Sequence, residues 1–269
     1  MIDCHLHLQD PRFGSSVGEA METARSCGIT RFVVNGTCPE DWPLVKALAH
    51  RFSEVIPSYG LHPWHVGSET ESWLNELELL IAGDPRACVG EIGLDRWIRG
   101  HDPERQREAF LKQLRLAEIF GRSLTIHCLK AWGTLLELIR ENRPRTPFLL
   151  HSYGGPPEMV TDFADLGAYF SLSGYFFRED KADKLATFDR VPIDRLLLET
   201  DAPDMLPPPR LIRFPVSGKT GPGDSNAFNH PANLIAIRDA AAARLKMDPS
   251  ALDRLVEANF ARWYHGSSA

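Results

Sequence analysis

Along the chain, short apolar runs rich in β-branched residues and leucine alternate with longer stretches whose apolar residues recur at spacings of three and four. The first run, Ile2–Leu8, predicts a strand, and Ser16–Cys27 reads as a helix that stops at Gly28. Ile29–Asn35, Val55–Leu61 and Ala87–Leu94 read as the next three strands, separated by helices over Pro39–Phe52 and Glu69–Ala82. The most regular helix, Pro103–Phe120, carries Phe110, Leu114 and Ala117 on one stripe and ends at Gly121. Strands five to eight fall at Ser123–Cys128, Pro147–His151, Ala168–Ser173 and Arg195–Thr200, with helices over Thr134–Asn142, Pro157–Ala164 and Glu179–Phe188 between them. Helices over Ala232–Leu245 and Pro249–Trp263 finish the chain. Eight strand–helix units in succession, with no low-complexity linker, predict a parallel α/β architecture, the (β/α)8 TIM barrel, with residues 1–269 forming one domain. One segment breaks the rhythm. Ala202–His230 is rich in Pro and Gly, follows the eighth strand, and is expected to lie over the catalytic face of such a barrel.

Composition narrows the field without choosing a chemistry. The 269 residues are 43% apolar and 25% charged, which excludes disordered and fibrous classes. A net charge of -6 argues against holding nucleic acid by surface charge alone, so any phosphate chemistry needs a local source of positive charge, such as bound metal. The five cysteines (Cys4, Cys27, Cys38, Cys88 and Cys128) are scattered without a CxxC pair and read as reduced thiols of a cytoplasmic protein. No run approaches the length of a membrane span, no basic and apolar leader opens the chain, and no segment points to a protein partner.

The chemistry-bearing residues gather at strand ends. His5 and His7 lie two apart in the first strand and so share one face, the interior in a barrel. Such a pair alone is weak evidence, since ten histidines in this length produce about 0.4 His-x-His pairs by chance. But Glu91 lies near the end of strand four, His127 and His151 end strands five and six, His62 follows strand three, and Asp201 follows strand eight. The C-terminal rim of the strands is where barrel enzymes build their sites. Ionised carboxylates amid apolar strands are costly unless paired or coordinated. Four imidazoles and two carboxylates exceed the needs of one tetrahedral ion and suit Zn²⁺, Mn²⁺, Mg²⁺, Co²⁺ or Ni²⁺. A two-metal centre follows as the expectation: His5, His7 and Asp201 on one ion, His127 and His151 on the other, and Glu91 bridging. Two cations about 4 Å apart lower the pKa of a shared water and clamp the oxygens of a phosphoryl or carbonyl centre.

The segments Asp3-Cys4-His5-Leu6-His7, Gly60-Leu61-His62-Pro63, Gly90-Glu91-Ile92-Gly93-Leu94-Asp95, Ile126-His127 and Glu199-Thr200-Asp201-Ala202-Pro203 together resemble the TatD family of metal-dependent deoxyribonucleases, in the amidohydrolase superfamily. Asn229-His230-Pro231 and the closing Val256-Glu257-Ala258-Asn259-Phe260-Ala261-Arg262 extend the resemblance to the last helix. The resemblance implies a TIM barrel hydrolase acting on phosphodiester bonds of DNA. It implies metal ligands at His5, His7, Glu91, His127, His151 and Asp201, and it adds His62 as a catalytic residue beside the scissile group. The expected catalytic set is thus Asp201, Glu91 and His62: a metal-bridged hydroxide attacks, Asp201 takes a proton, and His62 neutralises charge on the substrate oxygen. Departures lie outside the metal set. Leu129 and Lys130 follow His127 where the family commonly has an Arg and an acid, Ser152-Tyr153-Gly154-Gly155 replaces Cys-Phe-Ser-Gly, Arg96-Trp97 follows Asp95, and Pro207–Asn226 is long.

Hydrolysis of an amide, ester or lactone is the alternative, because a binuclear barrel site serves carbonyl chemistry equally well, and an inactive scaffold is a further one. Asp3 and Glu199 share strand faces with His5 and Asp201 and are expected to orient ligands, with Asp95 a weaker candidate and His65 unassigned. Trp64, Trp97 and Trp132 each follow a rim residue and form either a stacking platform for a flat substrate or loop packing. Arg96, Arg99 and Lys130 are candidate phosphate contacts, and Cys128 should point away from the site. The partner expected is DNA or a small phosphodiester.

Overall fold

In the computed structural model, which describes residues 1–218 and 226–265, each apolar run forms a strand of one parallel sheet. The strands are β1 (Ile2–Leu6), β2 (Arg31–Asn35), β3 (Val55–Tyr59), β4 (Cys88–Asp95), β5 (Leu124–Leu129), β6 (Phe148–Leu150), β7 (Ala168–Ser173) and β8 (Leu196–Glu199). They lie side by side in sequence order. Helices α1 (Val17–Ser26), α2 (Trp42–Arg51), α3 (Trp73–Gly83), α4 (Pro103–Phe120), α5 (Trp132–Asn142), α6 (Val160–Asp165) and α7 (Ala182–Thr187) alternate with the strands. Strands covered on both faces read as continuous apolar runs, and Phe32-Val33-Val34 and Phe148-Leu149-Leu150 are fully buried in this way. Just past the strand ends, the Asp201 N–H donates to the His5 carbonyl (2.9 Å) and the His7 N–H to the Ala202 carbonyl (2.7 Å). These two bonds tie β1 to β8 across the seam and carry His5, His7 and Asp201 with them, giving the (β/α)8 TIM barrel expected from the pattern.

Helix α4 shows how local sequence sets an element. Asp102 accepts the N–H groups of Glu104 and Arg105, Pro103 starts the first turn, and Gly121 ends the helix in the left-handed region at φ 59°. Phe110, Leu114 and Ala117 are buried as their spacing requires. The last two helices are α8 (Leu234–Leu245) and α9 (Pro249–His265), and α9 reaches the end of the barrel opposite the clustered histidines. There the Asn259 amide donates to the carbonyls of Leu196 (2.7 Å) and Ile193 (2.9 Å), and the Trp263 indole donates to Leu124 O (3.3 Å). The closing motif noted in the sequence is therefore a set of side chains that satisfy exposed strand carbonyls.

Several boundaries move. β1 ends at Leu6 and β3 at Tyr59, because the chain turns at the rim and hands its hydrogen bonds to neighbouring loops, such as His62 N–H to Thr37 O (2.8 Å). The helix expected over Glu179–Phe188 is split into a 3-10 turn at Glu179–Lys181, α7, and a second turn at Phe188–Arg190. Of Ala202–His230, Pro209–Leu211 forms a 3-10 turn, and β9 (Val216–Gly218) pairs antiparallel with β10 (Asn226–Phe228). Residues 219–225 lie outside the described residues. Phe228 packs edge-on against Phe13 of the loop after β1 (5.4 Å between ring centroids), which fastens this segment to the rim that carries His7. No helix of the described residues is long and apolar enough to cross a membrane.

Candidate metal centre

Glu91 stands at the middle of the site. It is buried, and its two carboxylate oxygens face different groups. Oε2 lies 3.4 Å from His5 Nε2 and 3.4 Å from His7 Nε2. Oε1 lies 2.8 Å from His151 Nε2, 3.1 Å from His127 Nδ1 and 3.4 Å from His62 Nε2. Asp201 Oδ1 adds contacts of 3.5 Å to both His5 and His7. All seven residues expected at the site are thus brought together from six strand ends, while His65 stays outside the cluster.

Glycine makes this approach possible. A Cβ at Gly93 would lie 1.9 Å from the His127 carbonyl oxygen, at a φ of +151° that side chains avoid. The Gly-Glu-Ile-Gly run therefore lets β4 and β5 draw close and sets Glu91 against His127. Asp201 itself adopts the left-handed region (φ 53°), which Asp tolerates better than most residues, and this turns its carboxylate back toward β1.

The ring nitrogens that face away from the cluster decide what those facing it can do. His7 Nδ1 lies 2.8 Å from the Asn35 carbonyl and must donate to it, so that the neutral ring has its lone pair on Nε2. His127 Nε2 lies 3.0 Å from Asp95 Oδ2, so that the neutral ring has its lone pair on Nδ1. Each is the pattern of an imidazole oriented for a metal, with its far N–H held by an oxygen. His62 is wired the other way. Its Nδ1 accepts the Trp64 N–H (3.2 Å), so the neutral ring carries its proton on Nε2 and presents a donor to the cluster. Burial holds His62 neutral, with its pKa lowered to about 4.

His5 is likewise lowered to about 4 by burial, followed by the neighbouring His151. Burial also disfavours charge on His7 and His127, but hydrogen bonds and charge from Asp201 and Glu91 for the first, and from Asp95 and Glu91 for the second, prevail and hold them up at about 10 and about 9. Against its own burial, Glu91 is held well below the usual carboxylate range by the surrounding histidines.

This donor set fits a divalent cation. His5 Nε2 and His7 Nε2 stand 3.2 Å apart, and His127 Nδ1 and His151 Nε2 stand 3.3 Å apart, nitrogens that repel unless a proton or cation lies between them. Among the described residues no Lys or Arg pairs with Glu91 or Asp201. Ligand atoms of His5, His7 and Glu91, of His5, His151 and Asp201, and of His62, Glu91 and His127 each fall within 4.8 Å of one another. A buried site of imidazoles and carboxylates, without side-chain cations, takes its positive charge from protons or metal.

Several supporting residues escaped the sequence reading. Two buried glutamines of α4, seven apart and so on one face, clamp the rim. Gln113 accepts the Leu61 N–H (2.6 Å) and donates to the Leu61 carbonyl (3.2 Å), next to His62. Gln106 does the same for Asp95, at 2.9 and 3.0 Å. The signal was available, because two polar residues on the apolar stripe of an amphipathic helix demand buried partners. Asp95 carries more than a weak candidate would. Its Oδ2 takes His127 and the Trp64 indole N–H (2.7 Å), and its Oδ1 takes the N–H groups of Trp97 (2.6 Å) and Ile98 (3.2 Å). Glu91 and Asp95 lie four apart on one strand, hence on the same face.

Asp3 and Glu199 lie one layer deeper. Asp3 accepts the Thr200 N–H (3.0 Å) and hydroxyl, which steadies the residue before Asp201. Glu199 accepts the hydroxyls of Ser152 and Ser171 and lies 3.9 Å from His151 Nδ1. The tryptophans separate. Trp132 is buried at the first turn of α5 against Tyr153 (4.6 Å between centroids), so it belongs to the core and not to a platform, whereas Trp64 and Trp97 are exposed. Cys128 is buried in the core, and all five cysteines are free thiols.

A parallel barrel with imidazoles and carboxylates converging at the C-terminal ends of its strands defines a metal-dependent hydrolase. Residues 2–265 match the profile of the TatD related DNase family, and the chain belongs to that family. It is 29% identical over 262 residues to the 3'-5' ssDNA/RNA exonuclease TatD of Edwardsiella piscicida, covering 96% of this chain and 97% of that protein. It is 30% identical to the uncharacterized metal-dependent hydrolase YjjV of Escherichia coli K12, over 76% of this chain and 80% of YjjV. The crystal structure of YjjV superposes with a TM-score of 0.86 at 24% identity, covering 98% of each chain. That of a TatD family hydrolase from Entamoeba histolytica superposes with a TM-score of 0.84 at 20% identity, over 98% of this chain and 97% of the other. These likenesses show a shared fold.

Proposed function

We propose that this protein is a two-metal phosphodiesterase that cleaves single-stranded DNA or RNA in the cytoplasm. The observation that carries the metal count is the division of Glu91, whose two oxygens address two different sets of imidazoles. In this reading His5, His7 and Asp201 hold one divalent ion, His127 and His151 hold the other, and Glu91 bridges them. The donor set suits Zn²⁺, Mn²⁺, Mg²⁺, Co²⁺ or Ni²⁺. Such ions, when bound, lower the pKa of water to near neutrality and neutralise phosphoryl oxygens. The family and the relative that cleaves ssDNA and RNA support the substrate class.

The chain's own groups supply the rest. Asp201 is held ionised against its burial by the histidines beside it, so its carboxylate is able to accept a proton from the attacking water. His62, neutral with Nε2–H directed into the cluster, donates to the substrate oxygen on which charge builds. Asn35 and Asp95 keep His7 and His127 in the tautomers that leave lone pairs facing the site. The test is a substrate panel of single-stranded DNA, a simple phosphodiester and a lactone. It is run after chelation and again after return of individual divalent ions. Metal-restored cleavage of the DNA is expected, and metal-restored turnover of the lactone alone would overturn the reading.

A further inference from the structure

We propose that Trp64 and Trp97 form a stacking face for unpaired nucleobases, with Arg96, Arg99 and Lys130 as its phosphate contacts. This inference rests on the nuclease reading above and deepens it. Trp64 is 49% and Trp97 57% exposed, large values for indoles, and both follow neighbouring strands at the rim that holds the metal cluster. They are not loosely placed. The Trp64 indole N–H is bonded to Asp95 Oδ2 and its ring stands edge-on to His62 at 5.3 Å, so the polar edge is fixed while half of the side chain faces solvent. The Trp97 main chain is held by Asp95 Oδ1. One carboxylate thus anchors both tryptophans and His127 of the cluster.

The charges around them point the same way. In a protein of net charge -6, Arg96 and Arg99 are exposed in the loop that carries Trp97, Lys130 is exposed just past the end of neighbouring β5, and none enters an ion pair among the described residues. The Arg96 guanidinium donates to the Thr134 hydroxyl at 2.8 Å. Cations without carboxylate partners, interleaved with solvent-facing aromatic rings, are the combination by which proteins hold single strands. Every base offers a π-face, and the backbone supplies the charge. Bases within a duplex are already stacked on each other, so this surface selects splayed strands.

The test measures binding by intrinsic tryptophan fluorescence on the metal-loaded protein, using phosphorothioate-linked oligothymidine and the same backbone with abasic sites. The wild type is expected to prefer the base-bearing strand, and Trp64→Ala or Trp97→Ala to weaken that strand about tenfold and remove most of the preference. Trp64→Phe keeps a ring and retains most of the preference, which separates stacking from a folding defect in the alanine variant. Neutralising Arg96, Arg99 and Lys130 weakens both strands alike and flattens the salt dependence. Equal binding of both strands by a wild type that cleaves single-stranded DNA, or alanine variants that keep the preference, overturns the stacking face alone. A wild type that cleaves no nucleic acid overturns the nuclease reading and this inference with it.

Discussion

The two halves of the cluster are oriented by different kinds of atom. On the β1–β8 side, main-chain groups tie the strands together and orient His7, with Asp3 steadying the residue before Asp201. The seam hydrogen bonds set His5, His7 and Asp201 against each other, and His7 Nδ1 rests on the Asn35 carbonyl. On the β4–β5 side, a side chain does the work. Asp95 holds His127, and Asp95 is itself held by Trp64, the Trp97 and Ile98 N–H groups, and Gln106 behind it. A main-chain carbonyl is present whatever the neighbouring residue is, whereas an aspartate can be removed by one substitution. The orientation of His7 is therefore robust to changes around it and that of His127 is tunable, and the exposed tryptophans attach to the tunable side.

The largest effects should fall on Glu91, which faces both groups of imidazoles, and on Asp201, proposed to hold one ion. Glu91→Gln and Asp201→Asn should lower kcat on single-stranded DNA by roughly 10³-fold or more, since several kcal/mol of charge stabilisation depends on each. Circular dichroism should show the barrel intact. Glu91→Gln, which strikes both groups of imidazoles, should lower bound metal more than Asp201→Asn when the ions are counted by elemental analysis. Equal stoichiometries in the two variants would break the division between the halves.

His62→Leu removes the Nε2–H donor without removing a proposed ligand. It should cost about 10²-fold in kcat with metal content unchanged. Loss of an ion in that variant would instead put His62 among the ligands. Asp95→Asn should weaken one of two metal affinities by about 10–100-fold, read by isothermal titration, and leave the other as it was. If both affinities fell together, the halves would not be independently oriented.

Chelation of the whole site should lower Tm by about 5–10 °C, the consequence of losing a ligand present at about a hundred times its Kd. That shift should shrink in Asp201→Asn. The smallest change is expected for Trp64→Phe. Losing one N–H donor to Asp95 should reduce kcat by about fivefold, because a single hydrogen bond is worth about 1 kcal/mol.

The alternation of apolar runs with amphipathic stretches was enough to predict the eight strands, because a parallel sheet buries both faces of every strand and leaves an unmistakable run. The same logic made His5, His7, Glu91, His127, His151 and Asp201 conspicuous as polar residues at the ends of apolar runs, and all are drawn together. Reading by position was less able to weigh Asp95, whose importance lies in four hydrogen bonds reaching it from Trp64, Trp97, Ile98 and His127. It also left Trp132 alongside Trp64 and Trp97, since the spacing after a rim residue is the same for a ring that turns inward and one that turns out.

What this chain determines by its sequence alone is which residues have the wrong polarity for where they lie, and hence which strands carry chemistry. That much is local, a matter of period, caps and turn residues. Which oxygen of Glu91 meets which imidazole, which nitrogen of His62 keeps the proton, and which tryptophan faces water were decided only when eight strands closed. Each depends on partners tens to hundreds of residues away, such as Thr200 on Asp3 or Gln113 on Leu61, and hydrogen-bond direction is set by the distances that closure brings about.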